Sequence, residues 1–170
     1  NEETIDEYRL FTRDGELRWV RDYGYPEWDE GENRVVRIYG AVQDITERKQ
    51  MEEELAESEE RFRKAFEEGP LGMAIVDQGF RITQANSVYC QMLGYPEEEL
   101  TQITFPEITH PDDVDIDMEL ATKLFNGEIP SYQIEKRFVR KDGETIWGHL
   151  TASLVRSEDG IPLYGLGMLE

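Results

Sequence analysis

One pattern occurs twice in this sequence, in residues 9–19 and again in residues 137–147. Both stretches begin with Arg, carry Asp-Gly-Glu in the middle and end with Trp. A repeat of this kind indicates that one structural unit is used twice. Because Asp-Gly between runs of alternating apolar residues is a strong hairpin signal, each copy is predicted to form a β-hairpin.

The composition predicts a folded, strongly acidic chain. Its 170 residues allow one or two small domains, and 38% hydrophobic residues are enough to build a core. The formal net charge of −20 argues against nucleic acid and anionic membrane as partners, because phosphate binding requires clustered Lys and Arg. Residues 82–122 contain no basic residue at all.

Cysteine and histidine are too few for the common metal sites. Cys90 is the single cysteine, which excludes an intrachain disulfide and a Cys-based zinc site, and His110 and His149 are far apart in the sequence. His110 precedes Pro111 and is expected to cap a helix. No apolar run is long enough to span a membrane. We therefore expect no metal site, no membrane contact within these residues and a cytoplasmic location.

The N-terminal part is predicted to contain three strands and a long helix. The first strand ends near Thr12, the second covers residues 16–25 and the third covers residues 35–43. Residues 44–66 contain no Gly or Pro and are predicted to form one helix. A coiled-coil stripe follows this helix. Its members are Met51, Leu55, Ser58, Phe62 and Ala65. We expect a homodimer through this stripe; the alternative is a solvated linker helix that packs its Phe residues on the next domain.

The C-terminal part is predicted to be a second module of the α+β class. A first hairpin covers residues 71–85, Asn86 caps a short helix that ends at Gly94, and a longer helix runs from His110 to about Phe125. Three further strands are predicted at residues 132–140, 144–155 and 161–169. Two strands, several helices and then three strands is a segregated order, unlike the alternation of a parallel α/β fold.

The register of the second repeated hairpin follows from its loop. If residues 141–143 form a three-residue loop with Gly143 left-handed, apolar residues share one face of the hairpin. The expected pairs on that face are Phe138 with Ile146, Ile134 with Leu150, and Tyr132 with Ala152. The opposite face then pairs Arg137 with Trp147 and Glu135 with His149, and the first copy gives the matching Arg9 and Trp19 pair.

Several strings together resemble the PAS family of sensor domains. They are Ala85-Asn86, Gly94-Tyr95-Pro96-Glu97-Glu98-Glu99-Leu100, His110-Pro111-Asp112-Asp113, Asp142-Gly143 followed by Trp147, and Asp44-Ile45-Thr46-Glu47-Arg48-Lys49. The resemblance implies a five-stranded antiparallel sheet with helices on one face. It assigns residues 1–43 to the C-terminal strands of a truncated PAS domain, 44–66 to a linker or signalling helix, and 67–170 to a PAS sensor domain.

The resemblance also implies a role in signal transduction. PAS domains act as sensory or dimerisation modules, and their usual downstream partners are histidine kinases, diguanylate cyclases or chemotaxis-type transducers. The string Asp44-Ile45-Thr46 resembles the motif that ends the last PAS strand and begins the output helix, which makes these residues the expected signal relay. We expect no catalytic residue here, because no nucleophile with a base, carboxylate pair or phosphate loop appears at a meaningful spacing.

PAS relatives bind haem, flavin or small metabolites between the helices and the inner face of the sheet. The reactive Asn-Cys-Arg-Phe-Leu string of flavin photosensors is absent, Cys90 is expected to be a buried inert thiol, and Leu169 cannot hydrogen-bond to a flavin. Haem-binding relatives usually supply an axial His from the long helix. Haem is disfavoured here because residues 114–125 of that helix contain no His. No cofactor is identified, which leaves an unknown small ligand as the remaining option.

A ligand pocket is expected at the inner face of the sheet, where small and apolar residues collect. The expected lining residues are Val88, Met92, Met118, Ile134, Leu150, Ala152, Leu154, Gly165, Gly167 and Leu169. The sequence leaves a ligand-free interaction domain with a packed core as the alternative function. In the N-terminal part we expect Tyr8, Leu10 and Val20 to be exposed, because no helices of that part would cover them.

Overall fold

The computed structural model describes residues 4–170, which form two compact units with the boundary along the chain between Arg61 and Phe62. We call them the N-terminal unit and the C-terminal unit. The strands are β1 (Thr4–Phe11), β2 (Leu17–Asp29), β3 (Arg34–Asp44), β4 (Gly72–Val76), β5 (Ile82–Ala85), β6 (Ser131–Val139), β7 (Thr145–Arg156) and β8 (Pro162–Leu169). The helices are α1 (Thr46–Glu67), α2 (Ser87–Leu93), α3 (Glu97–Leu100) and α4 (Pro111–Phe125), with a 3-10 turn at Phe105–Ile108.

Each unit has its own antiparallel sheet. The N-terminal sheet has the order β1-β2-β3, and the C-terminal sheet has the order β5-β4-β8-β7-β6. The predicted α+β class with a five-stranded antiparallel sheet is confirmed. The division between the units lies inside α1, which both sequence and structure treat as one continuous helix.

Both repeated hairpins have the predicted register. Phe138 pairs with Ile146 and Arg137 with Trp147, and in the first copy Arg9 pairs with Trp19. The guanidinium of Arg137 lies 5.5 Å from the centre of the Trp147 ring, and the Arg9 guanidinium lies at the same distance from Trp19. A three-residue loop closes each hairpin, with Gly15 and Gly143 both at φ 85°. A left-handed residue at this place is what a three-residue hairpin loop requires.

The inner face of the N-terminal sheet is less exposed than the sequence predicted. Tyr8 is 41% exposed, Leu10 is half-buried, and Val20 is only 5% exposed. The prediction for Val20 is wrong because the junction between β3 and α1 lies against this end of β2. The Ile45 N–H donates to the carbonyl of Trp19, the residue before Val20, at 2.9 Å, and Ile45 is itself buried.

The helices of the C-terminal unit begin and end where the sequence predicts. Asn86 caps α2 by accepting from the Tyr89 N–H, and Gly94 ends it with φ 75°. The His110 side chain caps α4. Short helices of this kind depend on such caps, because their first N–H groups have no partner within the helix.

A contiguous core fills the space between these helices and the sheet. Its fully or nearly fully buried members are Ala74, Ile82, Ala85, Tyr89, Leu93, Leu100, Ile108, Phe138, Leu150 and Leu169. Of the helices in residues 4–170, none combines the length and the apolar character that crossing a membrane would need.

Candidate ligand cavity

A small cavity lies between the inner face of the C-terminal sheet and the helices α2 and α4. Its volume is about 50 Å³. The walls are Ala74, Val76, Tyr89, Phe105, Asp117, Ala121, Leu124, Phe125, Tyr132, Lys136, Phe138, Leu150, Ala152, Gly165, Leu166 and Gly167. Most of these side chains are apolar or absent, so the few polar groups decide what chemistry the cavity offers.

A buried ion pair forms one side of the cavity. The Lys136 ammonium donates to Asp117 Oδ2 and, at 2.8 Å, to the hydroxyl of Thr109. Lys136 is 1% exposed and Asp117 is fully buried. The Tyr132 hydroxyl donates to Asp117 Oδ1 at 3.0 Å, so both carboxylate oxygens have a donor.

The apolar surroundings of the ion pair change the acidity of the lysine. Burial lowers the pKa of Lys136, because it disfavours the charged ammonium, and the negative charge of Asp117 opposes this shift. The ammonium nitrogen also lies 4.4 Å from the ring centre of Phe138 and 5.3 Å from that of Phe105. These aromatic faces attract a cation and supply part of the solvation that water would otherwise give.

Tyr89 brings a second polar group to the cavity wall. Its side chain, on α2, is almost fully buried. Burial, and to a smaller extent the negative charge of Asp117, raises the pKa of Tyr89, so the phenol is neutral. Within residues 4–170 the Tyr89 hydroxyl makes no hydrogen bond. Among the described residues, Arg140 Nε is the only fully buried side-chain nitrogen or oxygen without a partner, so the Tyr89 hydroxyl oxygen is not fully enclosed and can bind a partner from the cavity that Tyr89 lines.

Asn86 connects the cavity wall to the end of α1. Its Oδ1 accepts from the backbone N–H of Tyr89 and from that of Met73, each at 2.9 Å. Its Nδ2 donates to the carbonyl of Phe66 at 2.7 Å and to that of Leu71 at 2.8 Å. All four bonding positions of this buried amide are in use, so α2, β4 and the last turn of α1 meet at one side chain.

Comparison with known proteins identifies the fold and the family. The family described as "PAS fold" matches residues 82–169, and the family described as "PAS domain" matches residues 2–47. The chain belongs to the PAS family. The PAS domain of a protein from Colwellia psychrerythraea has a similar structure, with a TM-score of 0.59 and 20% identity; the match covers 65% of this chain and 93% of that one.

Two curated relatives are multidomain signalling proteins. The probable diguanylate cyclase DgcE of Escherichia coli is 42% identical over 116 residues, which cover 68% of this chain. The sensor histidine kinase TmoS of Ectopseudomonas mendocina is 28% identical over 101 residues, which cover 59% of this chain. Each match covers 10% of the relative's length, so the likeness concerns PAS regions and not the enzymatic parts of these proteins.

The PAS cavity contains only part of the residue set expected from the sequence. Leu150, Ala152, Gly165 and Gly167 line it. Val88, Met92, Met118, Ile134, Leu154 and Leu169 lie outside its walls. On α2 the lining residue is Tyr89, next to the predicted Val88. On α4 the lining residues are Asp117, next to the predicted Met118, and the unpredicted Ala121, Leu124 and Phe125. Leu169 is fully buried but belongs to the core, and Met92 and Ile134 pack against that core.

Asp117, Lys136 and Tyr89 were not predicted from the sequence, although one signal for them exists. Lys136 alternates with Ile134 and Phe138 on the predicted inner face of β6. A lysine at such a position is almost never buried without a partner, which indicates an acidic side chain on the covering helices. The sequence does not say which of the many carboxylates it is.

The expected relay residues make a compact set of contacts within the N-terminal unit. Asp44 Oδ1 accepts from the Thr46 N–H at 2.9 Å, and the Thr46 hydroxyl accepts from the Trp19 N–H, also at 2.9 Å. Hydrogen bonds from Thr46 and the charge of Arg18 lower the pKa of Asp44. These bonds fasten the first turn of α1 to β2, as a helix start that follows directly from a strand requires.

The cavity does not fit the large cofactors known from PAS relatives. Its volume of about 50 Å³ is too small for a flavin or a haem. Burial raises the pKa of Cys90, the opposite of what a reactive thiolate needs, and Leu169 offers no polar atom. Within residues 4–170 no group of three or more His, Cys, Asp or Glu side chains is arranged to hold a metal ion.

Proposed function

We propose that this chain is the sensory and regulatory part of a cytoplasmic signalling protein with a histidine kinase or diguanylate cyclase output, and that it has no catalytic role itself. The PAS relationship and the multidomain nature of the curated relatives support this assignment. The occupancy of the cavity would be passed to the flanking helix α1. The observation that carries the proposal is the position of Asn86 between Tyr89 and Phe66.

The relay works through hydrogen-bond geometry. A ligand that contacts the Tyr89 ring moves the first turn of α2, and the Tyr89 N–H is bonded to Asn86 Oδ1. Because the same amide holds the Phe66 carbonyl, it cannot reorient without changing the bond at the end of α1. A fully bonded buried amide favours two discrete arrangements over a gradual adjustment, which suits a switch.

NMR titration of the chain tests the relay. Molecules of a few non-hydrogen atoms are screened against isotope-labelled protein, and a binder should shift the amide signals of Tyr89 and of residues 66–71 together. In Asn86→Ala the Tyr89 signal should still respond while the response of residues 66–71 is lost. Gln91→Ala, at an exposed position of α2, is the control and should behave like the wild type. If the wild-type signals of residues 66–71 never respond to a bound molecule, the relay is wrong.

We further propose that the signalling form is a homodimer through α1. The residues of the predicted stripe are exposed in this chain: Met51 by 57%, Leu55 by 60% and Phe62 by 51%. An isolated amphipathic helix of this length is marginally stable unless its stripe is buried, and a second copy of the same stripe would bury it.

Sedimentation measures the dimer directly. Leu55→Glu combined with Phe62→Glu should give a monomer, because like charges would meet within the stripe. Gln50→Glu combined with Ala56→Glu adds the same charge away from the stripe and should leave the dimer intact. A wild-type chain that is already monomeric at high micromolar concentration rules the dimer out. The module would then be a PAS domain that acts without helix pairing.

A further inference from the structure

The proposal that follows rests on the sensory function above and names the class of molecule sensed. We propose that the cavity binds a small neutral alcohol, whose hydroxyl is held by Tyr89, and that it rejects carboxylate anions. The properties of the cavity that decide the class are its size, its net charge and the hydroxyl of Tyr89, which makes no hydrogen bond within residues 4–170.

Size limits the ligand to a few non-hydrogen atoms. An apolar protein cavity of about 150 Å³ holds benzene, and a single water needs roughly 10–15 Å³. The cavity here has about 50 Å³. It therefore accepts molecules smaller than benzene, and excludes nucleotides, sugars and aromatic metabolites.

The net charge of the cavity excludes small ions. Lys136 and Asp117 are the ionisable pair in its wall, and the sum of their charges is zero whether the shared proton lies on Nζ or on Oδ2. Both carboxylate oxygens already accept a hydrogen bond, from Lys136 and from Tyr132. An anion that entered would have no free counter-charge, and burying an uncompensated charge is costly.

The free hydroxyl of Tyr89 selects for a partner that can both donate and accept. The Tyr89 residue is 4% exposed and its phenol is neutral, and within residues 4–170 its hydroxyl makes no hydrogen bond and is not a fully enclosed atom. Ala152 of β7 and Gly165 and Gly167 of β8 line the cavity with a small apolar surface. A short alkyl chain fits against that surface while its hydroxyl pairs with Tyr89, which satisfies the polar and the apolar walls together.

The test compares two molecules of nearly the same branched shape, 2-propanol and acetate, by NMR titration of the whole chain. We expect 2-propanol to cause saturable shifts at Tyr89 and Gly167, and acetate to bind at least roughly tenfold more weakly because of its uncompensated charge. Tyr89→Phe keeps the ring and removes the hydroxyl, and should weaken 2-propanol binding by about fivefold.

Asp117→Asn provides the converse test. It leaves Lys136 without its counter-ion, so acetate should now bind at least roughly tenfold better than to the wild type. If this variant does not fold, the Tyr89→Phe comparison decides by itself.

The outcomes separate the two proposals. Wild-type protein that prefers acetate, or 2-propanol binding that is unchanged in Tyr89→Phe, overturns the alcohol assignment and leaves the sensory function in place. Protein in which neither molecule causes saturable shifts overturns the alcohol assignment and also removes the support for a ligand sensor, which leaves the interaction domain.

Discussion

The two repeated hairpins have the same turn, the same register and the same Arg–Trp contact, but their inner faces have different environments. In β6 and β7 of the C-terminal unit the inner residues Lys136, Phe138 and Leu150 are buried. In β1 and β2 of the N-terminal unit Val20 is the only buried residue, and the inner-face residue Tyr8 is 41% exposed. A hairpin therefore specifies its own strand pairing locally, whereas the burial of its side chains depends on the elements that cover it.

Corresponding positions on the inner faces show how far the two copies have diverged. Because the Arg and Trp residues of the repeats match, Tyr8 corresponds to Lys136 and Val20 to Gly148. Tyr8 reaches only a long hydrogen bond of 3.4 Å to Asp22 at the surface, whereas Lys136 enters the buried ion pair. Corresponding backbone positions thus hold a partly solvent-exposed residue, Tyr8, in one copy and a residue of the cavity wall, Lys136, in the other.

Breaking the ion pair of Lys136 and Asp117 is expected to give the largest difference in stability between the two hairpins. Lys136→Met leaves Asp117 buried without a cation and should lower the free energy of unfolding of the C-terminal unit by about 3–5 kcal/mol. The double variant Lys136→Met with Asp117→Leu should recover most of this loss. Tyr8→Phe, at the corresponding position, should change stability by less than about 0.5 kcal/mol. Urea unfolding followed by the amide signals of each unit measures all three. Equal losses at Lys136 and Tyr8 would contradict the comparison.

The second largest difference between the two hairpins is expected in the hydrogen-exchange protection of their backbone amides. The N-terminal sheet has three strands, of which β1 and β3 are edges. We expect amides of β1 and of residues 17–24 to be roughly 100-fold less protected than those of β7, since sparse packing allows local opening. Equal protection in a demonstrated monomer would show that the N-terminal unit is self-sufficient.

A smaller effect is expected from exchanging side-chain size at one matched position. A Cβ at Gly148 would lie 3.0 Å from Phe138 Cε2 and still nearer to Leu169 Cδ1. Gly148→Ala should therefore destabilise the C-terminal unit by about 1–3 kcal/mol through overpacking. In the N-terminal unit Val20→Ala should cost about 1.5 kcal/mol for the opposite reason, the loss of buried methyl groups. If Gly148→Ala left the thermal unfolding of the C-terminal unit unchanged, the core around Phe138 and Leu169 would have room for an additional methyl group.

The smallest expected effect is a change in the pKa of Glu7, on the outer face of the N-terminal sheet. Hydrogen bonds from Lys49 and Arg21 lower the pKa of Glu7 to about 2. A carboxylate whose pKa is lowered by folding stabilises the fold above its ordinary pKa of 4.5, and this contribution is lost as the pH falls toward 2. Lys49→Met should raise the Glu7 pKa, measured by NMR of the side-chain carboxyl. Arg34→Met, on the distant end of β3, should leave it unchanged.

Features that a few neighbouring residues encode could be predicted from the sequence. The Asp-Gly turns placed Gly15 and Gly143 in the left-handed region, and Asn86 and Gly94 were recognised as the two ends of α2. The 3-10 turn at Phe105–Ile108 was not predicted, although Thr104 and Glu107 form a capping box, which is a signal of the same local kind.

The candidate site could be located from the sequence only as far as the strands. Alternation has a period of two, so the residues of β7 and β8 that face inward followed from the register, and Leu150, Ala152, Gly165 and Gly167 line the cavity. A helix has no such fixed reference, because a small rotation about its axis exchanges neighbouring residues.

The sequence by itself determined the hairpins, the caps, the α+β order and the long helix, because each depends on backbone preferences within a short segment. Only the tertiary structure decided that Tyr89 and Asp117 face inward, that Lys136 pairs with Asp117, and that Asn86 holds the end of α1. The two contacts made by Lys136 and Asn86 join residues 19 and 20 positions apart through space. Their energies depend on exclusion of water by the surrounding core, which no local segment contains.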